Sequence, residues 1–326
     1  MRRVCLLVLD SLGVGGAPDA NLFGDFGADT LGHIARACAA GLANEGRHGP
    51  LNVPVLASLG LGEAAALATG SVPPGLELFG PPLARYGCAT EISRGKDTPS
   101  GHFEMTGAPV LQDWGYFTPD TNSIPKELLD ELAARAGLPG VLGNCKASGI
   151  EILARLGEEH LRSGRPIVYT STDSVFQIAA HEQIWPLERL YALCRRLRPQ
   201  LDRYRIGRII ARPFVGSVAE GFRRTEGRHD YSMAPPPMLL DALQQADVPV
   251  LAVGKIFDLF CGRGISAHWP TAGNADGMAR TAAVFATMER GLLFTNLIDF
   301  DMLYGHRNDV AGFAAALQAF DQFLEG

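Results

Sequence analysis

The chain has 326 residues, of which 47% are hydrophobic, and a formal net charge of -6 at pH 7. This length and apolar content allow a large buried core and predict two domains. Because the net charge is negative and both signs are mixed along the chain, nucleic acid is not expected as a partner. The six cysteines form no CxxC pair and no zinc-like spacing, which indicates reduced thiols in a cytoplasmic protein.

The N-terminus resembles a secretory signal only superficially. Two arginines precede an apolar run over residues 4–9, but Asp10 ends this run after six residues and no cleavage pattern of small residues follows. We therefore predict a strand there. Since no later stretch approaches the ~18 consecutive apolar residues of a membrane span, we expect a soluble protein without a membrane partner.

Apolar runs typical of strands alternate along the chain with segments of helical periodicity, which indicates an α/β protein. Strands are predicted over 4–9, 166–170, 206–211, 248–253 and 292–298, and helices over 126–136, 149–161, 187–197 and 310–324. The middle of the chain ends just before three consecutive prolines at 235–237, which we interpret as a domain boundary.

Polar residues follow the first and the last of these strands. Asp10 comes directly after the first strand, and Asp299, Asp301 and His306 come after the last one. Ligands of open α/β sheets bind beyond the carboxyl ends of the strands, so Asp10 and Asp301 are expected among metal ligands or catalytic groups. A carboxylate and an imidazole five positions apart suit a divalent metal. Asp10 alone equally suits a helix N-cap, and Asp299 equally suits support of its loop.

The segment 95–102, with the sequence GKDTPSGH, has the composition of a loop that handles phosphate. Lys96 supplies a positive charge, and the hydroxyl of Thr98 or Ser100 could attack phosphorus or contact a metal ion. The alternative is a polar turn before a helix that is capped at Thr98 or Ser100. The chain has only four lysines against 25 arginines, and Lys96 and Lys255 both adjoin glycine, which favours the phosphate interpretation.

Eight motifs follow one another along the chain: DSLGVG at 10–15, DTLGH at 29–33, GKDTPSGH at 95–102, YTSTDSV at 169–175, ARPFVG at 211–216, RHDY at 228–231, GKI at 254–256 and DFDMLYGH at 299–306. In this order they resemble the prokaryotic phosphopentomutases of the alkaline phosphatase superfamily. The resemblance runs from the first predicted strand to the last predicted helix. Phe103 stands where the family has tryptophan, and it keeps an aromatic face at that position.

The resemblance implies an alkaline-phosphatase-like α/β core, in which helices flank a mostly parallel sheet, and a smaller inserted α/β cap domain. We accordingly divide the chain into a first part of the core over 1–112, a cap over 113–233 and a second part of the core over 234–326. The implied reaction, part of nucleoside catabolism, interconverts ribose 1-phosphate and ribose 5-phosphate, and the corresponding 2-deoxyribose phosphates. It proceeds through a phosphothreonine and a sugar bisphosphate intermediate.

Carried over position by position, the resemblance implies that Thr98 is the nucleophile. Two divalent metal ions, usually manganese, are then held by Asp10 with Thr98 and by Asp301 with His306. A sugar bisphosphate, either ribose 1,5-bisphosphate or glucose 1,6-bisphosphate, activates the enzyme. The other implied roles are substrate binding by Ser171, Asp173, Arg212, Arg228 and Lys255, and support by Lys96, Asp97, His102 and Asp299.

The family continues past the helix matched by 310–324 into a segment that supplies an aspartate and two histidines to the metals, and this sequence shows no counterpart of it. The four remaining ligands are too few for two six-coordinate cations. The expectation is therefore a truncated chain with weak metal binding, little mutase activity and reduced stability. Two alternatives stay open: an impaired sugar-phosphate-binding paralogue or fragment, and a metal-dependent phosphatase or another phosphomutase of the superfamily.

Overall fold

The computed structural model describes residues 2–78, 80–171 and 173–325. Thr172, which belongs to the motif YTSTDSV, lies outside the described residues. The chain forms two compact units, of which the first comprises Met1–Ile92, Leu239–Phe257 and Gly262–Gly326, and the second comprises Ser93–Met238 and Asp258–Cys261. The core and cap boundaries at 112 and 233 stay a prediction, since the units divide near 93 and 238.

Strands and helices alternate along the chain, and the predicted α/β class is confirmed. The strands of the described residues are β1 (Arg3–Leu9), β2 (Leu142–Lys146), β3 (Ile167–Thr170), β4 (Val175–His181), β5 (Arg208–Ser217), β6 (Gly221–Arg224), β7 (His229–Ser232), β8 (Val250–Val253), β9 (Ala267–Trp269) and β10 (Gly291–Leu297). The α-helices are α1 (Thr30–Ala39), α2 (Pro54–Ser58), α3 (Leu61–Thr69), α4 (Thr98–Met105), α5 (Lys126–Ala136), α6 (Gly149–Ser163), α7 (Leu187–Asp202), α8 (Leu239–Gln245), α9 (Ile256–Leu259), α10 (Asn274–Thr287) and α11 (Val310–Glu325). Within the described ranges, no helix is long and apolar enough to cross a membrane.

The first unit contains a parallel sheet with the strand order β1-β10-β8-β9. Leu9 at the end of β1 pairs with Leu297 at the end of β10, so the carboxyl ends of these two neighbours lie level with each other. Helix α1 buries Leu31, Ile34 and Cys38 on one face, at the spacing of an amphipathic helix, and contacts α11. Their apolar side chains form the core of this unit on one side of the sheet.

Strand β1 is less buried than its apolar sequence predicts. Most of its residues are only partly buried, and Val4 is exposed. In the described part of the chain, β1 lies at the edge of its sheet and pairs only with β10. An edge strand has a neighbour on one side alone, and this leaves apolar side chains in contact with solvent.

The second unit contains a mixed sheet with the order β2-β3-β4-β5-β6, in which β7 also pairs with β5. Strand β3 shows how this sheet is covered on both faces. Val168 packs into the cluster formed with α5 and α7, whereas its neighbours Ile167 and Tyr169 pack into the cluster formed with α6. Because side chains alternate along a strand, this continuous apolar run fits a sheet between two helical layers.

The predicted helices begin at their observed first residues, but β5 extends further than predicted. The sequence predicts that it ends at Ala211, with Arg212 beyond it, whereas the strand continues to Ser217. Arg212 therefore lies inside the strand. Pro213 is tolerated because β7 pairs with β5 up to Ala211 and β6 pairs with it from Phe214 onward, so Pro213 falls between the two antiparallel ladders.

Helix α6 contributes a histidine, His160, that is completely buried. Its Nε2 accepts a hydrogen bond of 2.8 Å from the backbone N–H of His181, so the ring proton resides on Nδ1, which donates to the carbonyl of Arg165 at 2.6 Å. Both ring nitrogens of the neutral imidazole are therefore hydrogen-bonded. Burial lowers the pKa of His160 below its ordinary value, because a charged imidazole would lose its hydration.

We expect the fold to lose stability in acid through His160. A histidine with a lowered folded-state pKa stabilises the protein fully above its unfolded pKa of about 6.5, and the contribution is lost as the pH falls towards the folded-state value. Urea titrations from about pH 7.5 to about pH 5 should therefore show a smaller loss of unfolding free energy in H160Q than in the wild type. At the upper pH, H160Q should be less stable by about 1–3 kcal/mol.

The variant H48Q is the control, since His48 is exposed on the first unit, and it should lose as much unfolding free energy between the two pH values as the wild type does. A pH dependence in H160Q as steep as that of the wild type would assign the acid sensitivity to other groups.

Candidate active site

Asp10 lies at the carboxyl edge of the sheet of the first unit. It follows β1 directly, and its backbone N–H donates to the carbonyl of Leu297 at 3.3 Å. The side chain is 6% exposed, and its Oδ2 has no hydrogen-bond partner among the described residues. A buried carboxylate oxygen without a donor is costly unless a cation or another group completes it.

Asp301 and His306 follow β10 on two consecutive helical turns. The sequence predicts a loop here, whereas the structure has a π-helical turn over Phe300–Tyr304 and a 3-10 turn over Gly305–Arg307. His306 Nε2 lies 3.5 Å from Asp301 Oδ2, and the imidazole is 73% exposed. The two side chains thus face each other, as their spacing predicts.

Ser11 supports Asp301, a role that no pattern in the sequence indicates. Its hydroxyl donates to Asp301 Oδ1 at 2.6 Å. Ser11 has a φ of 67°, in the left-handed region that non-glycine residues rarely adopt. In this conformation the Ser11 side chain reaches Asp301, which lies beyond the end of the neighbouring strand β10.

Asp10, Asp301 and His306 fit a divalent cation by their donor atoms and by the uncompensated Oδ2 of Asp10. Over the ranges 2–78, 80–171 and 173–325, however, no three His, Cys, Asp or Glu side chains are grouped closely enough to hold a metal ion together. The described residues of the first unit therefore present carboxylate and imidazole groups that are candidate ligands but do not form a metal site by themselves.

Asp299, which follows β10, supports the start of helix α10 through two hydrogen bonds with Asn274. Its Oδ2 accepts from the backbone N–H of Asn274 at 2.6 Å, and its own N–H donates to Asn274 Oδ1 at 3.0 Å. A Cβ at Gly273 would lie only 2.7 Å from Asp299 Oδ2, so this close approach needs glycine. Asp299 thus caps the N-terminus of α10 from outside the helix.

Lys255 lies in the tight turn between β8 and α9 and is partly buried. Gly254 before it has a φ of 79°, and a Cβ there would lie 2.4 Å from the carbonyl oxygen of Asn296. The turn therefore packs against the end of β10. Its fixed backbone limits where the ammonium group can be placed.

Thr98 is the first residue of α4, in the second unit. The cap is Asp97, which forms a capping box with Ser100, and not Thr98 or Ser100 as the alternative interpretation predicted. The Ser100 hydroxyl is buried, and its single proton is shared between two carbonyl oxygens, that of Asp97 at 2.7 Å and that of Gly95. No described residue hydrogen-bonds the hydroxyl of Thr98, which is partly buried.

The other predicted members of this segment have different surroundings. Lys96 is exposed, whereas His102 is buried and its Nδ1 lies 2.8 Å from the carbonyl of Thr98 one turn earlier. Gly95 is needed for packing: a Cβ there would lie 1.8 Å from Trp114 Nε1. The sequence suggests that Gly95 allows close approach of an anion, but the packing of the Trp114 indole against it already explains why glycine is needed there.

The predicted substrate residues of the second unit lie on or near β3 and β5. Ser171 follows β3 and is partly buried, and the carboxylate of Asp173 is 60% exposed. Arg212 lies within β5 and its Nε donates to Gln177 Oε1 at 3.1 Å. Arg228 makes two hydrogen bonds of 2.8 Å to Asp230.

Arginines gather around Arg212. Burial lowers the pKa of its guanidinium, and the nearby charge of Arg228, followed by that of Arg224, lowers it further. Burial raises the pKa of Tyr169, while Arg212, Arg224 and Arg228 all oppose this effect from nearby. Like charges at close range are stabilised by an anion, so this cluster suits a phosphate group. Arg224 was not predicted.

Arg208 is a second residue that sequence reasoning missed. It begins β5, four positions before Arg212, and the strand period of two places both side chains on one face of the sheet. That spacing was the available signal. Arg208 forms ion pairs with carboxylates on three different segments of the second unit.

Comparison with known proteins gives consistent matches along the whole chain. The family model described as the Metalloenzyme superfamily matches residues 2–326. The chain is 56% identical to the phosphopentomutase of Tolumonas auensis, over 99% of this chain and 80% of that protein. It is 57% and 56% identical to the phosphopentomutases of Allorhizobium ampelinum and Sinorhizobium medicae, over 99% of this chain and 81% of each relative.

We expect D299A to destabilise the first unit. The substitution removes the acceptor for the Asn274 N–H and one partner of a reciprocal pair, so the unfolding free energy should fall by about 1–2 kcal/mol in a urea titration. E289A, at an exposed residue just beyond the same helix, should change it by less than about 0.5 kcal/mol. Equal stabilities of the two variants would exclude the capping role.

Proposed function

The chain belongs to the phosphopentomutases of the Metalloenzyme superfamily, and we therefore propose that Thr98 carries the phosphoryl group between substrate and product. The activity interconverts ribose 1-phosphate and ribose 5-phosphate, and the 2-deoxyribose pair is included in the proposal. The observation that carries the role of Thr98 is the arrangement of α4: the hydroxyl of Ser100 is occupied by its loop, while that of Thr98 has no hydrogen bond to any described residue.

The start of α4 supports an anionic side chain at this position. The first backbone N–H groups of a helix lack partners within the helix, and the helix dipole is positive there. A phosphothreonine at Thr98 therefore lies where negative charge is stabilised. Lys96, two residues earlier and exposed, adds a positive charge in the same segment.

The proposed cycle has two transfers. Phosphothreonine 98 gives its phosphoryl group to the free hydroxyl of the sugar monophosphate, so that the P–O bond to threonine breaks and a bisphosphate forms. The bisphosphate then returns its other phosphoryl group to Thr98, which leaves the isomeric monophosphate. A sugar bisphosphate such as ribose 1,5-bisphosphate or glucose 1,6-bisphosphate phosphorylates Thr98 at the start. The number of phosphoryl groups is conserved in every step.

Membership of the superfamily implies dependence on divalent metal ions. We propose manganese as the metal, with Asp10 and Thr98 as ligands of one ion and Asp301 and His306 as ligands of the other. When bound, the ions supply positive charge against the charge that develops on the transferring phosphoryl group. Phosphate monoesters need a barrier lowering of roughly 20 kcal/mol or more, which gives this electrostatic contribution its importance.

For the substrate, we propose that Ser171 and Asp173 bind sugar hydroxyls and that Arg212, Arg228 and Lys255 hold the phosphate that is not transferred. The partly buried guanidinium of Arg212 and its arginine neighbours support an anion at this position. Hydrogen bonds to charged groups are stronger than neutral ones, so these residues dominate the affinity. The proposed partners are small pentose phosphates in the cytoplasm, without nucleic acid or membrane.

Phosphorylation should occur on Thr98 rather than on Ser100. After incubation of the protein with Mn²⁺ and ribose 1,5-bisphosphate, phosphopeptide mass spectrometry is expected to place the modification at Thr98. T98V should abolish the uptake of phosphate. S100A should retain it at a reduced rate, because the capping box is lost. A phosphate found on Ser100 alone would refute the assignment.

Arg212 should contribute to the binding of the monophosphate. In R212A the affinity for ribose 5-phosphate, measured by calorimetry, is expected to fall by roughly 2 to 4 kcal/mol, because a charge-assisted contact is lost. The control is R223A, which removes an exposed arginine from the neighbouring strand β6 and should change the affinity by less than about 0.5 kcal/mol. If both variants bind as the wild type does, the phosphate lies elsewhere.

A further inference from the structure

Arg208 connects the segment of Thr98 with the residues proposed for the substrate, all within the second unit. Its side chain is only 13% exposed. One terminal nitrogen, Nη2, lies 3.3 Å from Asp97 Oδ1 and 4.0 Å from Asp173 Oδ2, and the other, Nη1, lies 3.3 Å from Asp230 Oδ2. The three carboxylates come from three segments far apart in sequence, and this one guanidinium contacts them all.

On one side, Arg208 acts on the start of α4. Asp97 caps this helix and precedes Thr98, and its side chain is only 9% exposed. A Cβ at Gly207 would lie 3.6 Å from Asp97 Oδ2, so the carboxylate also packs against the backbone just before Arg208. The ion pair therefore fixes the cap, and the cap fixes the first residue of the helix.

On the other side, Arg208 acts on the substrate residues. Asp230 forms an ion pair with Arg208 and also accepts two hydrogen bonds from Arg228, one of the proposed phosphate ligands. Asp173, a proposed sugar ligand, lies at the outer edge of the same group. A displacement of the guanidinium thus changes the position of both ligands relative to Thr98.

Electrostatics makes this arrangement depend on Arg208. Without its charge, the carboxylates of Asp97 and Asp230, which are 9% and 16% exposed, would lose an ion pair where solvent screens their mutual repulsion weakly, even though Asp230 keeps its pair with Arg228. The Nε of Arg208 is buried and has no hydrogen-bond partner among the described residues, which costs free energy. The contacts of the two terminal nitrogens with carboxylates therefore determine where the side chain lies.

We propose that Arg208 is a positioning residue for phosphoryl transfer, which holds Asp97 and the first turn of α4 at a fixed distance from Asp173 and from the Asp230–Arg228 pair. The proposal rests on the proposed role of Thr98. It assigns no contact with the substrate to Arg208. The ion pair between Arg208 on β5 and Asp97 orders the start of α4.

The first test is hydrogen exchange of the intact chain, followed by mass spectrometry. In R208M, the amides of Ser100 and Gly101, which bond to Asp97 in the capping box and the first helical turn, should exchange about tenfold faster, relative to peptides of the buried strand β4. The matched control is R198M. Arg198 has the same side-chain exposure of 13%, but it bonds to Asp202 and to backbone carbonyls instead of Asp97.

R198M is expected to leave the relative exchange of the α4 start within about twofold of the wild type. R208K keeps the charge but not the planar group that reaches several carboxylates, so its exchange should be intermediate. It also serves as the reporter if R208M does not fold. Wild-type exchange of these amides in R208M, or in R208K when only that variant folds, would overturn the proposal.

The second test separates positioning from a merely structural role. With Mn²⁺ and ribose 1,5-bisphosphate, R208M should phosphorylate Thr98 at least about tenfold more slowly, whereas its affinity for ribose 5-phosphate falls by a smaller factor. R208K should recover part of the rate. Equal losses of rate in R208M and R198M would reduce Arg208 to a structural residue. If the wild type takes up no phosphate, the proposed function fails, while the exchange experiment still decides whether Arg208 orders α4.

Discussion

The parallel, in-register pairing of β1 with β10 is the constraint on which the first unit depends. Leu9 pairs with Leu297, and this register brings Asp10 to the same edge as the turn that carries Asp301. A shift by one residue would turn the side chains of a strand to the opposite face. The apolar residues that fill the core of the first unit therefore also set the positions of Asp10 and Asp301, the proposed metal ligands.

The second unit is distinguished by charged side chains that are largely buried, among them Arg208, Asp97 and Asp230. Desolvation penalises every buried ion, and a buried charge persists only where opposite charges or hydrogen bonds compensate it. Burial lowers the pKa of Arg208, but the carboxylates of Asp97, Asp230 and Asp173 outweigh this effect and raise it above the ordinary value. For Arg212, burial and the nearby charges of Arg228 and Arg224 outweigh the opposing effects of Tyr169 and Asp230, and the pKa is lowered. The contrast supports the roles proposed for the two arginines on this strand, in which Arg208 orders the start of α4 and Arg212 binds an external anion.

Local backbone conformation serves both units where side chains must approach closely. Ser11 adopts a left-handed conformation beside Asp10, and Gly254 does so before Lys255. Gly273 admits the carboxylate of Asp299 to the start of α10. Strained or glycine-dependent positions of this kind concentrate near sites whose groups must be placed accurately. They persist because the packed strands on either side hold the intervening turns.

The sequence by itself predicted five of the strands and four of the helices, and it indicated the sheet edge at which the candidate ligands Asp10 and Asp301 lie. Residues 126–136 form the predicted helix because local periodicity specifies it, and Asp10 and Asp301 lie at one edge because parallel strands end there. Only the tertiary structure decided which groups hold each other. Asp97 caps α4, and Arg208 pairs with three distant carboxylates, since contacts between segments far apart in sequence leave no local pattern. Periodicity records which face of an element is buried, whereas the pairing of charges depends on distances that exist only after the chain has folded.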